Sequence, residues 1–122
     1  MATATVAEDR GPEPLNAVQL RGRISAVPQT RELPSGDLVV TFRVAVPRPR
    51  RRGGGSRAVV DAIDIACWTA RTRGYAVRLA VGDAVEVEGA LRRRFFASGD
   101  GRVSRYEVEA STLRRPRPVR RG

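Results

Sequence analysis

Ala84-Val-Glu-Val-Glu-Gly-Ala-Leu-Arg-Arg-Arg-Phe-Phe96 is the stretch on which the reading of the fold turns. Side chains alternate across a strand with period two, so it sorts into two faces. Val85, Val87, Gly89 and Leu91 share one face, which is apolar and suited to burial. Glu86, Glu88, Ala90, Arg92, Arg94 and Phe96 share the other. The outward face therefore ends in two guanidinium groups and an aromatic ring. Single-stranded nucleic acid asks for that pairing: phosphates need positive charge, and unpaired bases need a flat partner on which to stack. An ordinary amphipathic strand with solubilising arginines gives the same pattern. The rest of the chain has to separate the two readings.

With 122 residues, 41% of them hydrophobic, the chain is sized for one globular domain. Basic residues outnumber acidic ones 23 to 13, a net charge of +10, and every basic residue is arginine. Arginine in place of every lysine is the usage that a GC-rich coding sequence favours, so part of it is discounted. A surplus of this size still favours polyanionic partners, nucleic acid foremost, with membrane surfaces and acidic proteins as alternatives. No apolar run approaches the ~20 residues that span a bilayer. Met1 to Pro14, with Glu8, Asp9 and Glu13, lacks the apolar segment of a signal peptide. The expected location is cytoplasmic and nucleoid-associated. Cys67 is the single cysteine and histidine is absent, so an internal disulfide, a cysteine-rich metal site and the Ser–His and Cys–His arrangements are all excluded.

Outward from the opening stretch, four more segments alternate. Leu15 to Ile24 places Val18, Leu20, Gly22 and Ile24 on one face; the glycine marks a bend or a close strand crossing. Val27 to Asp37 reads as connection, with a turn at Pro34-Ser-Gly-Asp37. Leu38 to Val46 is the second strand, with Leu38, Val40, Phe42, Val44 and Val46 inward and Thr41 and Arg43 outward. Pro47 to Arg57, rich in proline, glycine and arginine, reads as a mobile hairpin loop. Ala58 to Trp68 is the third strand, with Val59, Ile63, Ile65 and Cys67 inward and Ala62, Asp64, Ala66 and Trp68 outward. Thr69 to about Val81 fits a short helix, with Thr72, Ala76 and Leu79 on one stripe; Gly74 weakens it. Gly82-Asp83 turns into the fourth strand, Ser98 to Arg102 is a hairpin turn, and Val103 to Ala110 is the fifth. The expected organisation is a disordered leader (1–14), a domain (15–112) and a basic disordered tail (113–122). Five strands with one short helix between the third and fourth is the order of an all-β OB-fold barrel. A small open sandwich or an SH3-like barrel has similar patterning.

The residues from about Asn16 to Ala110 resemble bacterial single-stranded DNA-binding proteins of the OB-fold type. Four runs carry the resemblance, in order and nearly without gaps: Asn16-x-Val18-x-Leu20-x-Gly22-x-Ile24; Pro28-x-x-Arg31-x-x-Pro34-x-Gly36; Val40-x-Phe42-x-Val44-Ala45-Val46; and Val81-Gly82-Asp83-x-Val85-x-Val87-Glu88-Gly89-x-Leu91-Arg92. The resemblance implies base stacking at the ends of the third and fourth strands, here Trp68 and Phe96. Two further aromatic platforms of the family are replaced by Ala62 and Arg50, a basic residue by Asp64 and a histidine by Ile63. It also implies a homo-oligomer, with a tetramer favoured and built in part through the first strand. The acidic tip by which such proteins recruit replication partners has no counterpart at Arg114 to Gly122.

Trp68 and Phe96 are thus expected to stack bases, and Arg43, Arg92 and Arg94 to meet phosphate from outward faces, with Arg31 beside them. Arg48, Arg50, Arg51 and Arg52 would wrap the strand from the loop. Phe42, Phe95 and Tyr106 are expected in the core, and Cys67 as inert packing. Asp61 and Asp64 point to opposite faces, and Glu86 and Glu88 are expected to pair with Arg92 or Arg105, so the carboxylates make no active site and no metal site. The function expected is sequence-independent binding of single-stranded DNA in replication, repair or recombination, without catalysis or cofactor. An RNA-binding or primosome-like OB module, or a protein-interaction scaffold, is the alternative.

Overall fold

In a computed structural model, residues 11–49, 59–99 and 101–118 are described, apart from the side chains of 96–98. Five strands and one helix follow in the order β1 (Val18–Glu32), β2 (Leu38–Pro47), β3 (Val60–Cys67), α1 (Ala70–Ala76), β4 (Ala84–Ser98) and β5 (Gly101–Arg114). The strands close into a barrel in the order β1-β2-β3-β5-β4, with β4 returning to β1. The β3–β5 pair is parallel and every other pair antiparallel. This is the OB-fold, with its helix between β3 and β4 as the sequence pattern anticipates.

The alternating residues fill the barrel. Ile24, Val40, Phe42, Val44, Ile65, Cys67, Val85, Val87 and Val108 form one buried cluster, and Ala76 of α1 closes it. Leu38 and Val59, placed inward by alternation, sit at strand ends and are exposed. Cys67 is buried, and desolvation pushes its thiol up to about 12, so it is packing and not a nucleophile.

β1 runs further than the sequence reading has it, through Pro28 to Glu32. Register shifts between Ile24 and Ala26 and between Ala26 and Gln29 explain this. Bulges bend the strand from β4 towards β2, and a bulge needs no ladder bond from a proline nitrogen. β5 likewise continues past Ala110 to Arg114, where Leu113 packs on the core. Gly22 is the close crossing its position announces: a Cβ there would stand 2.3 Å from the Ala45 carbonyl oxygen.

Asn16 acts just before β1. Its side-chain amide donates to the Leu91 carbonyl and accepts from the Leu91 N–H, each at 2.8 Å, and so prolongs the β1–β4 ladder by one side chain. Beyond Leu91, β4 pairs with β5 alone, through Arg92↔Glu107 to Ser98↔Gly101. The β4–β5 hairpin therefore runs on past the barrel.

Candidate nucleic-acid interface

Trp68 directly follows β3 and directly precedes Thr69, the N-cap of α1. Thr69 Oγ1 accepts from the Thr72 N–H at 3.1 Å, which fixes the first helical turn. Arg73, one turn on, donates to the Trp68 carbonyl. The indole is thus held by a strand end and a capped helix, rigid elements on either side. It is half-buried, and its Nε1 is enclosed without a hydrogen-bond partner among the described residues.

The floor beside Trp68 is made of small side chains on the outer face of β2 and β3. Thr41 pairs with Ala66, and Arg43 with Asp64. Small residues between long ones leave a trough, here an open groove of about 720 Å³. Its walls are Arg31 and Val39 on the β1–β2 side and Arg93, Arg94, Phe95 and Glu107 on the hairpin side. The Arg94 guanidinium carbon lies 4.8 Å from the centroid of the Trp68 ring, a cation over an aromatic face.

The groove is lined by Arg31, Arg43, Arg93, Arg94 and Arg105 against Asp64 and Glu107. The carboxylates are placed to hold particular arginines. Asp64 accepts from Arg43 at 3.0 Å, Glu107 accepts from Arg94, and Glu109 takes Arg94 at 3.6 Å and Arg92 at 3.1 Å. Arg31 and Arg93 make no ion pair among the described residues, so they carry uncompensated charge at the two rims.

The structure thus brings Trp68, Arg31, Arg43 and Arg94 together. Arg92 shares the outward face of β4 but pairs with Glu109 outside the groove lining. Arg48 is held at 2.8 Å by Asp61, which it keeps below the usual carboxylate range. Phe96 has its backbone paired with Val103, and its side chain lies outside the described residues, as do Arg50, Arg51 and Arg52.

Two expectations are corrected. Phe95 and Tyr106 are not core; each is 58% exposed. Their parity is inward, but the hairpin has left the barrel, and among the described residues no strand lies opposite them. Leu91 is exposed for the same reason. Glu86 and Glu88 do not pair with Arg92 or Arg105. Glu86 is buried between Arg21 and Arg114, and Glu88 reaches Arg114 at 3.8 Å. The β1–β4 register sets Arg21 opposite Glu86, and the extension of β5 past Ala110 sets Arg114 on its other side. Sequence reading missed Phe95 as a residue lining the groove; parity placed it inward, and the end of the β1 ladder at Gly89, which exposes it, leaves no mark in the alternation.

A closed five-stranded barrel with an indole, a second ring and five arginines against two carboxylates along one open groove is an OB-fold protein with a positively charged, aromatic-lined surface. The chain belongs to the single-strand binding protein family, whose model matches residues 15–116. The Single-stranded DNA-binding protein 3 of Listeria innocua serovar 6a is 33% identical over 100 residues, which are 81% of this chain and 62% of that protein. The Single-stranded DNA-binding protein A of Bacillus subtilis is 34% identical over 100 residues, 81% of this chain and 58% of that protein. The match thus spans 58% to 62% of these relatives' length. Among solved structures, a Plasmodium falciparum SSB complex with ssDNA superposes with a TM-score of 0.70 at 22% identity, covering 85% of this chain and 95% of that one; it shares the fold.

Proposed function

We propose that the protein binds single-stranded DNA without reading its sequence, by stacking bases on aromatic rings and neutralising phosphates with arginine. The observation that carries this is Trp68 in the groove with the Arg94 guanidinium 4.8 Å from its ring centre. A base can stack on a ring, and a phosphate can meet a guanidinium, without any base-edge hydrogen bond. Such binding requires no bond to be made or broken, so the reading is of a non-enzymatic protein acting in replication, repair or recombination. Among the described residues no helix is long and apolar enough to cross a membrane, and the proposed place of action is the cytoplasm, at the nucleoid.

The same reading includes a homo-oligomer, with a tetramer favoured. Supporting it, β1 pairs with β4 from Val18 onward but with β2 only from Arg23, so among the described residues one edge of Val18–Gly22 has no strand beside it. Sedimentation equilibrium tests this.

Trp68 is the only tryptophan. Its fluorescence should fall strongly when oligo(dT) is added, and the affinity should drop steeply with salt as counterions are released. Trp68→Ala should lose about 1–3 kcal/mol of binding, the worth of one stacked base. A flat titration at low salt sinks the proposal. Tighter binding to an RNA of equal length than to oligo(dT) would instead identify an RNA-binding module.

A further inference from the structure

We propose that the inward-parity face of the β4–β5 hairpin is a second base-stacking platform, formed by Phe95 and Tyr106 around Arg93, for nucleotides that continue from Trp68. The inference rests on the reading above that the ligand is single-stranded DNA.

Register puts these groups on one face. Arg93 pairs with Tyr106 and Phe95 with Ser104, so all of them point away from the Arg92–Arg94–Glu107–Glu109 side. Both rings are 58% exposed, so together they form an apolar aromatic patch open to solvent beyond the barrel. The Arg93 guanidinium carbon lies 5.0 Å from the Phe95 ring centre and 5.6 Å from that of Tyr106, and it donates to Ser104 Oγ at 3.3 Å.

Charge selects the occupant. In the run Arg92-Arg93-Arg94, the first and third arginines are held by Glu109 and Glu107, and Arg93 meets no carboxylate among the described residues. Two open rings with an uncompensated cation between them match a base–phosphate–base segment. They do not match an apolar peptide, which would leave the guanidinium buried and unpaired. Arg93 and Phe95 also line the groove that holds Trp68, so this face adjoins the groove along the Arg93–Phe95 edge.

The test moves the reporter. Tyr106→Trp in a Trp68→Phe background places the sole indole on the hairpin. Trp68→Phe removes an enclosed N–H that has no partner and keeps a ring, so the background should fold. The probe is oligo(dT) of about 30 nucleotides, longer than the ~4–16 that one OB-fold covers. The Y106W/W68F protein should be quenched on titration, and Phe95→Ala/Tyr106→Ala should bind the same oligomer at least about fivefold more weakly than the parent. Quenching of Trp68 in the parent together with a flat Y106W/W68F titration, or with an F95A/Y106A affinity within twofold of the parent, overturns the platform and leaves the proposed function standing. A parent that is not quenched removes the proposed function itself. A change in Y106W/W68F emission with protein concentration in the absence of DNA would assign the face to a second copy and likewise overturns the proposal.

Discussion

Val85 and Val87 of β4 are 0% exposed, whereas Leu91 and Phe95, which continue the same alternation, are 45% and 58% exposed. Up to Gly89 the strand has β1 on one side and β5 on the other, with the core across from it. The β1 ladder ends at Gly89, just past the β4–β5 register shift, is prolonged to Leu91 only by the Asn16 side chain, and beyond that β4 has β5 alone. Alternation therefore assigns a side chain to a face, and what lies opposite decides whether that face becomes core or surface. One strand supplies both the barrel's interior and one wall of the arginine-lined groove.

The sharpest way to break this division is at the shift itself. A Cβ on Gly89 would lie 2.0 Å from the Glu109 carbonyl oxygen, so the β4–β5 ladder has to open to admit it. Gly89→Ala should cost about 3 kcal/mol or more, from overpacking against backbone that cannot rotate away. Gly99→Ala at the hairpin tip meets nothing within 4 Å and should stay within about 0.5 kcal/mol. Urea unfolding of the pair measures both, and equal costs would mean that the bulge is not the boundary.

Next come the two halves. Val87→Ala should lose about 2 kcal/mol, from two buried carbons and the cavity they leave. Phe95→Ala removes a larger side chain yet should cost under about 0.5 kcal/mol, because most of that ring already faces water. If Phe95→Ala were the more destabilising of the two, the hairpin would be packed and not free.

The barrel half of β4 was legible in the sequence because alternation and burial coincide there. Phe42, Val85 and Val87 needed only period two, and Trp68 and Arg94 followed from the same parity. Phe95 and Tyr106 were misread because parity carries no information on where a hairpin outruns its neighbours. The partners of Glu86 were hidden for a related reason: Arg21, 65 residues away, meets it through the β1–β4 pairing that closes the barrel, and Arg114, 28 residues away, through the part of β5 that runs past Ala110.

A smaller effect follows from Glu86. Hydrogen bonds from Arg21 and then Arg114 hold its carboxyl below the ordinary value. A depressed folded-state pKa gives stability that is fully present above the unfolded value, about 4.3 for glutamate, and is lost as pH falls through the folded one. The melting temperature should therefore decline below about pH 4. Glu86→Gln should flatten that decline and lower the neutral-pH value. The Phe95→Ala protein should keep the parent's acid profile, since its change lies on the hairpin. An unchanged acid slope in Glu86→Gln would detach this cluster from barrel stability.

The least effect expected concerns a carboxylate inside the groove. Asp64 holds Arg43 at 3.0 Å on an outer face that a DNA strand would cross, and both groups are partly exposed. An exposed ion pair contributes about 0–1 kcal/mol to folding, so Asp64→Asn should leave the melting temperature nearly unchanged. For binding the balance differs. Arg43 must leave its carboxylate, or share it, before it neutralises a phosphate, and Asp64 repels that phosphate in either case. Asp64→Asn should therefore tighten oligo(dT) binding by roughly two- to fivefold at low salt, and steepen the salt dependence by about 0.7 for the one additional phosphate contact on a single strand. Glu88→Gln makes the same change in net charge on the barrel half of β4, outside the groove lining, and isolates the general charge effect. If the two variants gained equally, position in the groove would carry no weight and overall charge would account for the affinity; a gain confined to Asp64→Asn places the strand across Arg43.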